Sequence, residues 1–338
     1  MSASVPILRV RDLAKHFPVH RGVLSRVVGQ VLAVDGVSFD IEPGETLCVV
    51  GESGCGKSTL ARTVMRLLAP TAGTVELDGV DISSLPERRL RPYRQRMQMV
   101  FQDPYSSLNP HLTAGAIVGE PLTNYGLAEG SALEREVARL LEHVGLRPES
   151  ARKYPHEFSG GQRQRIGIAR ALAVKPALIV ADEPVSGLDV SVQAQVLNLL
   201  LDLQQEFGLA YLFVSHDLAV VEHVGHRVAV MYLGRVVELA DNESLFAEPL
   251  HPYTEALLAA APVADPFIDR KRVVLQGDVP SPMHPPAGCH FHTRCPLVHE
   301  RCRHESPPLQ QVRPGRWVAC HLRQPEALPT RQPQTGPA

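Results

Sequence analysis

Residues 51–58 read GESGCGKS, with glycines, a lysine and a hydroxyl at the spacing G-x-x-x-x-G-K-S. Glycines let a backbone wrap closely around phosphate oxygens with its N–H groups turned inward. The run Gly51, Glu52, Ser53, Gly54, Cys55, Gly56, Lys57, Ser58 and Thr59 is therefore expected to cradle phosphates. Lys57 is placed to neutralise the two outer phosphates, and the Ser58 hydroxyl to hold Mg²⁺. A second group lies in LIVADEP, residues 178–184. Asp182 closes an apolar run, which puts a carboxylate beside the Ser58–Mg²⁺ position. Glu183 follows on the other side of the strand end, where a carboxylate can position or activate an attacking water.

These groups need elements to hold them. TLCVV, residues 46–50, is a short continuous apolar run of the kind buried on both faces of a sheet. It leads into the glycine loop and then a helical stretch from Leu60 to Leu68, with a helix start near Lys57 adding its positive dipole end. Upstream, VLAVDGVSFDI alternates at Val34, Val37, Phe39 and Ile41, which predicts β-strands with turns at Asp35–Gly36 and Pro43–Gly44. Helical apolar stripes recur in residues 131–145 (Leu133, Val137, Leu140, Leu141, Val144) and 192–207 (Val192, Val196, Leu199, Leu200, Leu203, Phe207). ALIVAD (177–182) and LAYLFVSH (209–216) read as further buried strands. Strands alternating with helices predict an α/β fold with a mainly parallel sheet covered on both faces.

The chain has 338 residues and a formal net charge of −2, a balance that argues against a general nucleic-acid binder. No apolar run approaches a membrane-spanning length, and the N-terminus lacks the apolar core of a signal peptide, so a cytosolic chain is expected. Fifteen of 29 prolines fall in residues 251–338, as do Cys289, Cys295, Cys302 and Cys320. Their spacing is C-x5-C-x6-C-x17-C. In a cytosolic chain disulfides are disfavoured, and four thiolates suit an iron–sulfur cluster or tetrahedral zinc. Free cysteines are the third reading. His290, His292 and His321 adjoin the set and could substitute as ligands. Cys48 reads as strand packing, and Cys55 as a small residue in a tight loop.

FSGGQRQR, residues 158–165, carries the SGGQ signature of ABC-type ATPases, and the resemblance extends over about residues 5–260. The other family motifs follow in order: Gln102 in VFQDP, Ser186 to Asp189 in SGLD, and His216 in VSHD, while Phe17 in KHFPV stands where an aromatic stacks on adenine. The resemblance implies two nucleotide domains that sandwich ATP head to tail. Each ATP then lies between one phosphate loop and the Ser159, Gly160, Gly161 and Gln162 of the other chain. It also implies that Gln102 contacts Mg²⁺ or the water, that His216 contacts the outermost phosphate, and that Asp189 lies on the loop crossing the dimer interface.

A narrower resemblance is carried by FQDPYSSLNP (101–110), SHDLAVVEH (215–223), HPYTEALLAAAP (251–262) and LQGDVPSPMHPPAGCHFHTRCP. The sequence looks like the ATP-binding subunits of bacterial dipeptide and oligopeptide importers, and especially like the second ATPase of a dipeptide importer. That likeness implies a [4Fe-4S] cluster on the four tail cysteines, a related partner ATPase, two permeases and an extracytoplasmic peptide-binding protein. It implies no nucleic-acid partner and a peripheral place on the cytoplasmic face of the membrane. Motion would pass to the permeases around Gln102 and residues 105–157. The expected organisation is a nucleotide-binding domain (1–260) with an antiparallel N-terminal β-subdomain and a helical signature subdomain (about 105–165), a cysteine-bearing extension (261–324) and a disordered end (325–338). Rival readings are an importer for nickel or glutathione and a soluble ABC-type ATPase acting on ribosomes or DNA. The latter usually carries two nucleotide domains or a long coiled-coil insertion, and neither is visible here. A tail that senses through its cluster would be an added function.

Overall fold

The computed structural model describes residues 5–21, 26–260, 277–323 and 325. The expected disordered end, apart from residue 325, and residues 261–276 and 324 of the extension lie outside them. Twelve strands are present among the described residues: β1 (Leu8–Arg21), β2 (Arg26–Ile41), β3 (Thr46–Val50), β4 (Ala72–Leu77), β5 (Val80–Asp81), β6 (Met97–Val100), β7 (Leu178–Asp182), β8 (Ala210–Val214), β9 (Arg227–Tyr232), β10 (Arg235–Asp241), β11 (Gln310–Arg313) and β12 (Arg316–Val318). They form two sheets. An antiparallel sheet has the order β2-β1-β4-β5, and the core sheet has the order β11-β12-β10-β9-β3-β8-β7-β6. The central strands β9, β3, β8, β7 and β6 pair in parallel, as the apolar runs require.

Those runs are continuous because each face has its own cover. Along β3, Leu47 and Val49 enter one hydrophobic cluster with the N-terminal sheet, while Cys48 and Val50 enter another with the helices. The helices are α1 (Lys57–Val64), α2 (Glu87–Arg96), α3 (Pro104–Ser107), α4 (Ala114–Asn124), α5 (Gly130–His143), α6 (Gly160–Leu172), α7 (Val190–Phe207), α8 (Leu218–Val224), α9 (Asn242–Ala247), α10 (Pro252–Ala260) and α11 (Glu300–His304). The stripe in α5 is buried at Val137, Leu140 and Leu141. Helices α3 to α6 form a helical block inserted between β6 and β7.

Two local expectations are corrected. Asp35–Gly36 is not a turn: β2 runs through it, and the β1–β2 register shifts between Leu13 and Lys15 opposite this pair, so the glycine (φ +73°) accommodates a bulge. The first helix ends at Val64, short of Leu68, because Arg66 adopts a left-handed conformation and its guanidinium donates to the Ile82 carbonyl at 3.0 Å.

The extension is sewn into the core sheet. Strand β12 pairs antiparallel with β10 through Glu238↔Val318 and Leu239↔Trp317. Glu238 is fully buried and accepts the Leu250 and His251 N–H groups at 2.8 and 2.9 Å, with Arg316 at 3.5 Å. Tyr232 of β9, Tyr253 of α10 and Phe291 of the extension pack ring on ring, with centroids 4.7–5.4 Å apart.

Candidate active site

The glycine loop leaves β3 at Gly51 with φ +152°, where a Cβ would lie 2.2 Å from the Met231 carbonyl oxygen. Gly56 opens α1 at φ +106°, and a Cβ there would meet the Ala33 carbonyl oxygen at 1.9 Å. Neither position admits a side chain, so the loop is shaped by what surrounds it as well as by its own sequence. Lys57 is buried, and its Nζ donates to the Gly51 carbonyl at 2.8 Å and the Glu52 carbonyl at 3.1 Å.

Parallel pairing of β3, β8 and β7 brings the strand ends of two distant motifs to this loop. The Ser58 hydroxyl donates to Asp182 Oδ1 at 2.8 Å. Burial pushes the Asp182 carboxyl up from its ordinary range, and the Ser58 hydrogen bond pulls it back in part. Two hard oxygen donors side by side suit Mg²⁺, which keeps waters and phosphate oxygens as its other ligands. Glu183 sits one residue beyond the strand with φ +48°, an unusual conformation for glutamate. Gln102 Nε2 donates to Glu183 Oε2 at 3.0 Å, and His216 Nδ1 lies 3.1 Å from the same oxygen.

Lys57, Ser58, Gln102, Glu183 and His216 line one cleft of about 590 Å³, together with Phe17, Ser53, Thr59 and Ser186. Phe17 is half-buried on β1, with Lys15 Nζ 5.0 Å from its ring centroid, so it is not a core phenylalanine. Val31 and Ala33 of β2 and Pro282 of the extension also line the cleft, and sequence reasoning did not find them. Leu32 N–H donates to the Pro282 carbonyl at 3.1 Å, so the extension closes one wall. No local motif signals that contact.

The SGGQ segment does not line this cleft. Ser159 caps α6, and a reciprocal box joins it to Gln162: Ser159 N–H to Gln162 Oε1 at 3.1 Å, and Gln162 N–H to Ser159 Oγ at 3.4 Å. A Cβ on Gly161 would fall 2.3 Å from Val192 Cγ1, and one on Gly160 would fall 3.3 Å from Leu188 Cδ2. The start of α6 thus abuts the start of α7, and Ser159, Gln162 and Asp189 form an exposed edge.

Cys289, Cys295, Cys302 and Cys320 lie within electrostatic reach of one another. Burial pushes the Cys289 thiol up to about 11. Four cysteine sulfurs in one short segment are the donor type that a thiolate-held group takes. Among the described residues, however, no three His, Cys, Asp or Glu side chains converge in a metal-holding arrangement. His290 is nine-tenths buried, and His292 Nδ1 lies 2.9 Å from the Cys289 carbonyl oxygen, a local bond within the loop. His321 Nε2 lies 2.9 Å from the Glu305 carbonyl oxygen. No described helix is long and apolar enough to cross a membrane.

Comparison with known proteins places these features in a family. A model of the ABC transporter family matches residues 34–186. A model of the oligopeptide/dipeptide transporter C-terminal region matches residues 237–302. The chain is 62% identical over 321 residues to a probable peptide ABC transporter ATP-binding protein, y4tS, of Sinorhizobium fredii, covering 95% of this chain and 91% of that one. It is 54% identical over 319 residues to the oligopeptide transport ATP-binding protein AppF of Bacillus subtilis, covering 94% and 97%. Among solved structures, the dimeric post-hydrolysis state of the ATP-binding cassette MJ0796 bound to ADP and Pi matches with a TM-score of 0.62 and 30% identity, covering 70% of this chain and 98% of that one. The cbiO1 structure of Clostridium perfringens, part of the cbiONQ transporter complex, matches with a TM-score of 0.62 and 27% identity, covering 72% and 91%.

Proposed function

The chain belongs to the ATP-binding subunits of peptide ABC transporters, and from that premise we propose how its residues drive transport. It is an ATPase that powers peptide or oligopeptide import. The observation that carries the assignment of roles is the convergence of Lys57, Ser58, Gln102, Glu183 and His216 on one cleft, with Asp182 bonded to Ser58. Adenine stacks on Phe17, and the phosphates enter the loop from Gly51 to Thr59. Lys57 exchanges its carbonyl partners for phosphate oxygens. Ser58 and Asp182, with Gln102 in the same cleft, would hold Mg²⁺, which would offset phosphate charge. Glu183 orients the attacking water and takes its proton, while Gln102 and His216 fix the carboxylate.

Ser159, Gly160 and Gly161 act on a second chain. The N-terminus of α6 offers N–H groups and a positive dipole end to a phosphate presented by a partner domain. The exposed edge formed with Asp189 supports this reading. The partner is a second, related ATPase, and the pair sits on the cytoplasmic face of two permeases that receive peptides from an extracytoplasmic binding protein. Affinity purification from native membranes tests the assembly: two permeases and a second ATPase are expected. A chain recovered with ribosomal proteins or DNA would favour the soluble ATPase. A linked nickel- or glutathione-binding protein would change the cargo.

The four extension cysteines are further proposed to hold a [4Fe-4S] cluster, supported by the placement of four sulfur donors in one extension, within electrostatic reach of one another. Anaerobic purification followed by iron, sulfide and zinc analysis decides it. Near-stoichiometric zinc would establish the alternative, and absence of both metals would leave free thiols.

A further inference from the structure

The extension reaches the phosphate loop through one buried side chain. Arg294, with its side chain only 6% exposed, forks onto the Glu52 carboxylate: Nη1 donates to Oε2 at 2.7 Å and Nη2 to Oε1 at 3.0 Å. This bidentate pair joins residues 242 positions apart in sequence. The Tyr232 hydroxyl lies against the same guanidinium. Glu52 is the second residue of the phosphate loop, and all three of its polar groups are engaged. Its N–H donates to the Tyr253 hydroxyl at 2.9 Å, its carbonyl accepts Lys57 Nζ at 3.1 Å, and its carboxylate is held by Arg294. Glu52 is absent from the residues lining the cleft.

A carboxylate in this loop is an electrostatic problem. The loop must receive a polyanion, and an unclamped anion one residue from Gly51 would repel the phosphates and compete for Lys57. Guanidinium answers both difficulties, because a planar fork neutralises a carboxylate and fixes its direction at once. We propose that Arg294 is a positioning residue for nucleotide binding: it neutralises Glu52 and keeps its carboxylate out of the phosphate path. The cysteine-bearing extension thereby sets ATP affinity through a residue that does not itself line the cleft. Arg294 stands next to Cys295, so the clamp is anchored in the cysteine loop itself.

The proposal rests on reading residues 51–58 as the phosphate loop. Its test is fluorescent-ATP titration and steady-state hydrolysis on the full chain, with melting temperature recorded for every variant. Arg294→Ala should raise both Kd and KM for ATP about tenfold or more, the scale of one charge-assisted contact, while kcat changes little. With the carboxylate removed as well, Arg294→Ala/Glu52→Ala should bind ATP more tightly than Arg294→Ala alone, because no anion remains to be held while the Glu52 backbone contacts stay in place. Arg294→Lys, which keeps the charge and loses the fork, should fall between, and it carries the test if Arg294→Ala does not accumulate. Wild-type affinity in the arginine variants overturns the proposal. So does a double variant as weak as the single, which would mean that Arg294 merely braces the fold. Lys57→Ala separates the premises: if it binds ATP normally, the phosphate-loop reading fails and not the clamp alone.

Discussion

Glu183 and His216 meet at 3.1 Å, carboxylate Oε2 to imidazole Nδ1, with Gln102 Nε2 donating to the same oxygen at 3.0 Å. The carboxylate is thus aimed by two neutral or cationic partners drawn from separate loops. Its own backbone, at φ +48°, is a conformation that glutamate rarely adopts. Such strain persists where the surrounding structure over-determines it, and here it separates two adjacent carboxylates into two tasks.

Glu183→Gln keeps the shape and the Gln102 and His216 contacts but cannot accept a proton. Turnover should fall about 10²–10⁴-fold, the usual contribution of a positioned base, with ATP affinity retained. Single-turnover hydrolysis and equilibrium ATP binding on the same preparation check it. Near wild-type turnover would remove Glu183 from the role of base.

Asp182 is buried beside Ser58, and burial raises its pKa. A raised pKa means that the carboxylate takes up a proton at higher pH than an exposed aspartate does. Mg²⁺ binds the deprotonated form only, so Mg²⁺-dependent ATP affinity should weaken as pH falls, beginning above the ordinary aspartate range. ATP titrations with and without Mg²⁺ across acidic pH measure this. Asp182→Asn should abolish the Mg²⁺ dependence and leave the residual metal-free affinity flat with pH. A Mg²⁺ effect that persists unchanged in that variant would count against Asp182 as a ligand.

Much of this site is legible in the sequence because its chemistry is local. A strand, a glycine loop and a helix start follow one another within thirteen residues, from Thr46 to Ser58. The buried strands β3, β7 and β8 and the stripes of α5 and α7 lie within one or two residues of the spans their apolar patterns predict. What the sequence does not reveal is contact between distant segments with no periodic signature. Strands β11 and β12 are four and three residues long; β12 pairs with a β10 about 80 residues away, and β11 pairs with β12. Pro282 against Leu32 and Arg294 against Glu52 are single contacts inside a proline- and cysteine-rich run. Nothing in the spacing of such residues names their partners, because tertiary packing and not local propensity selects them.

Gly161 offers a packing test of the SGGQ edge. A Cβ at this position would lie 2.3 Å from Val192 Cγ1, far inside van der Waals contact. Gly161→Ala should therefore destabilise the chain by about 1–3 kcal/mol through overpacking, although alanine favours helix. Trimming the opposing side chain in Gly161→Ala/Val192→Ala should recover most of that loss. Urea unfolding of the wild type, both singles and the double closes the cycle. If the single is as stable as wild type, α6 and α7 are not packed as described.

His251 gives the fold a pH dependence of definite sign. The imidazole is 1% exposed, and burial drives its pKa down to about 3. Its Nδ1 accepts the Tyr253 N–H at 3.0 Å, and its ring packs against Phe291 with centroids 5.8 Å apart, so the neutral ring suits the junction between α10 and the extension. Protonation would oppose the Tyr253 N–H and add charge near Arg323. The unfolded chain binds this proton below about pH 6.5 and the folded chain does not, so stability falls with pH from there toward 3, by up to about 1.4 kcal/mol per pH unit. Buried Glu238, which accepts the His251 N–H and whose own pKa burial raises, works in the opposite direction. The comparison must therefore be a difference between variants. His251→Gln removes the titrating group and keeps polar atoms at the site, so its stability loss between pH 7.5 and 5 should be smaller than that of wild type by most of that slope. Thermal unfolding of the two proteins at both pH values measures it, and equal pH dependence would show that His251 is not the group that links protons to this junction.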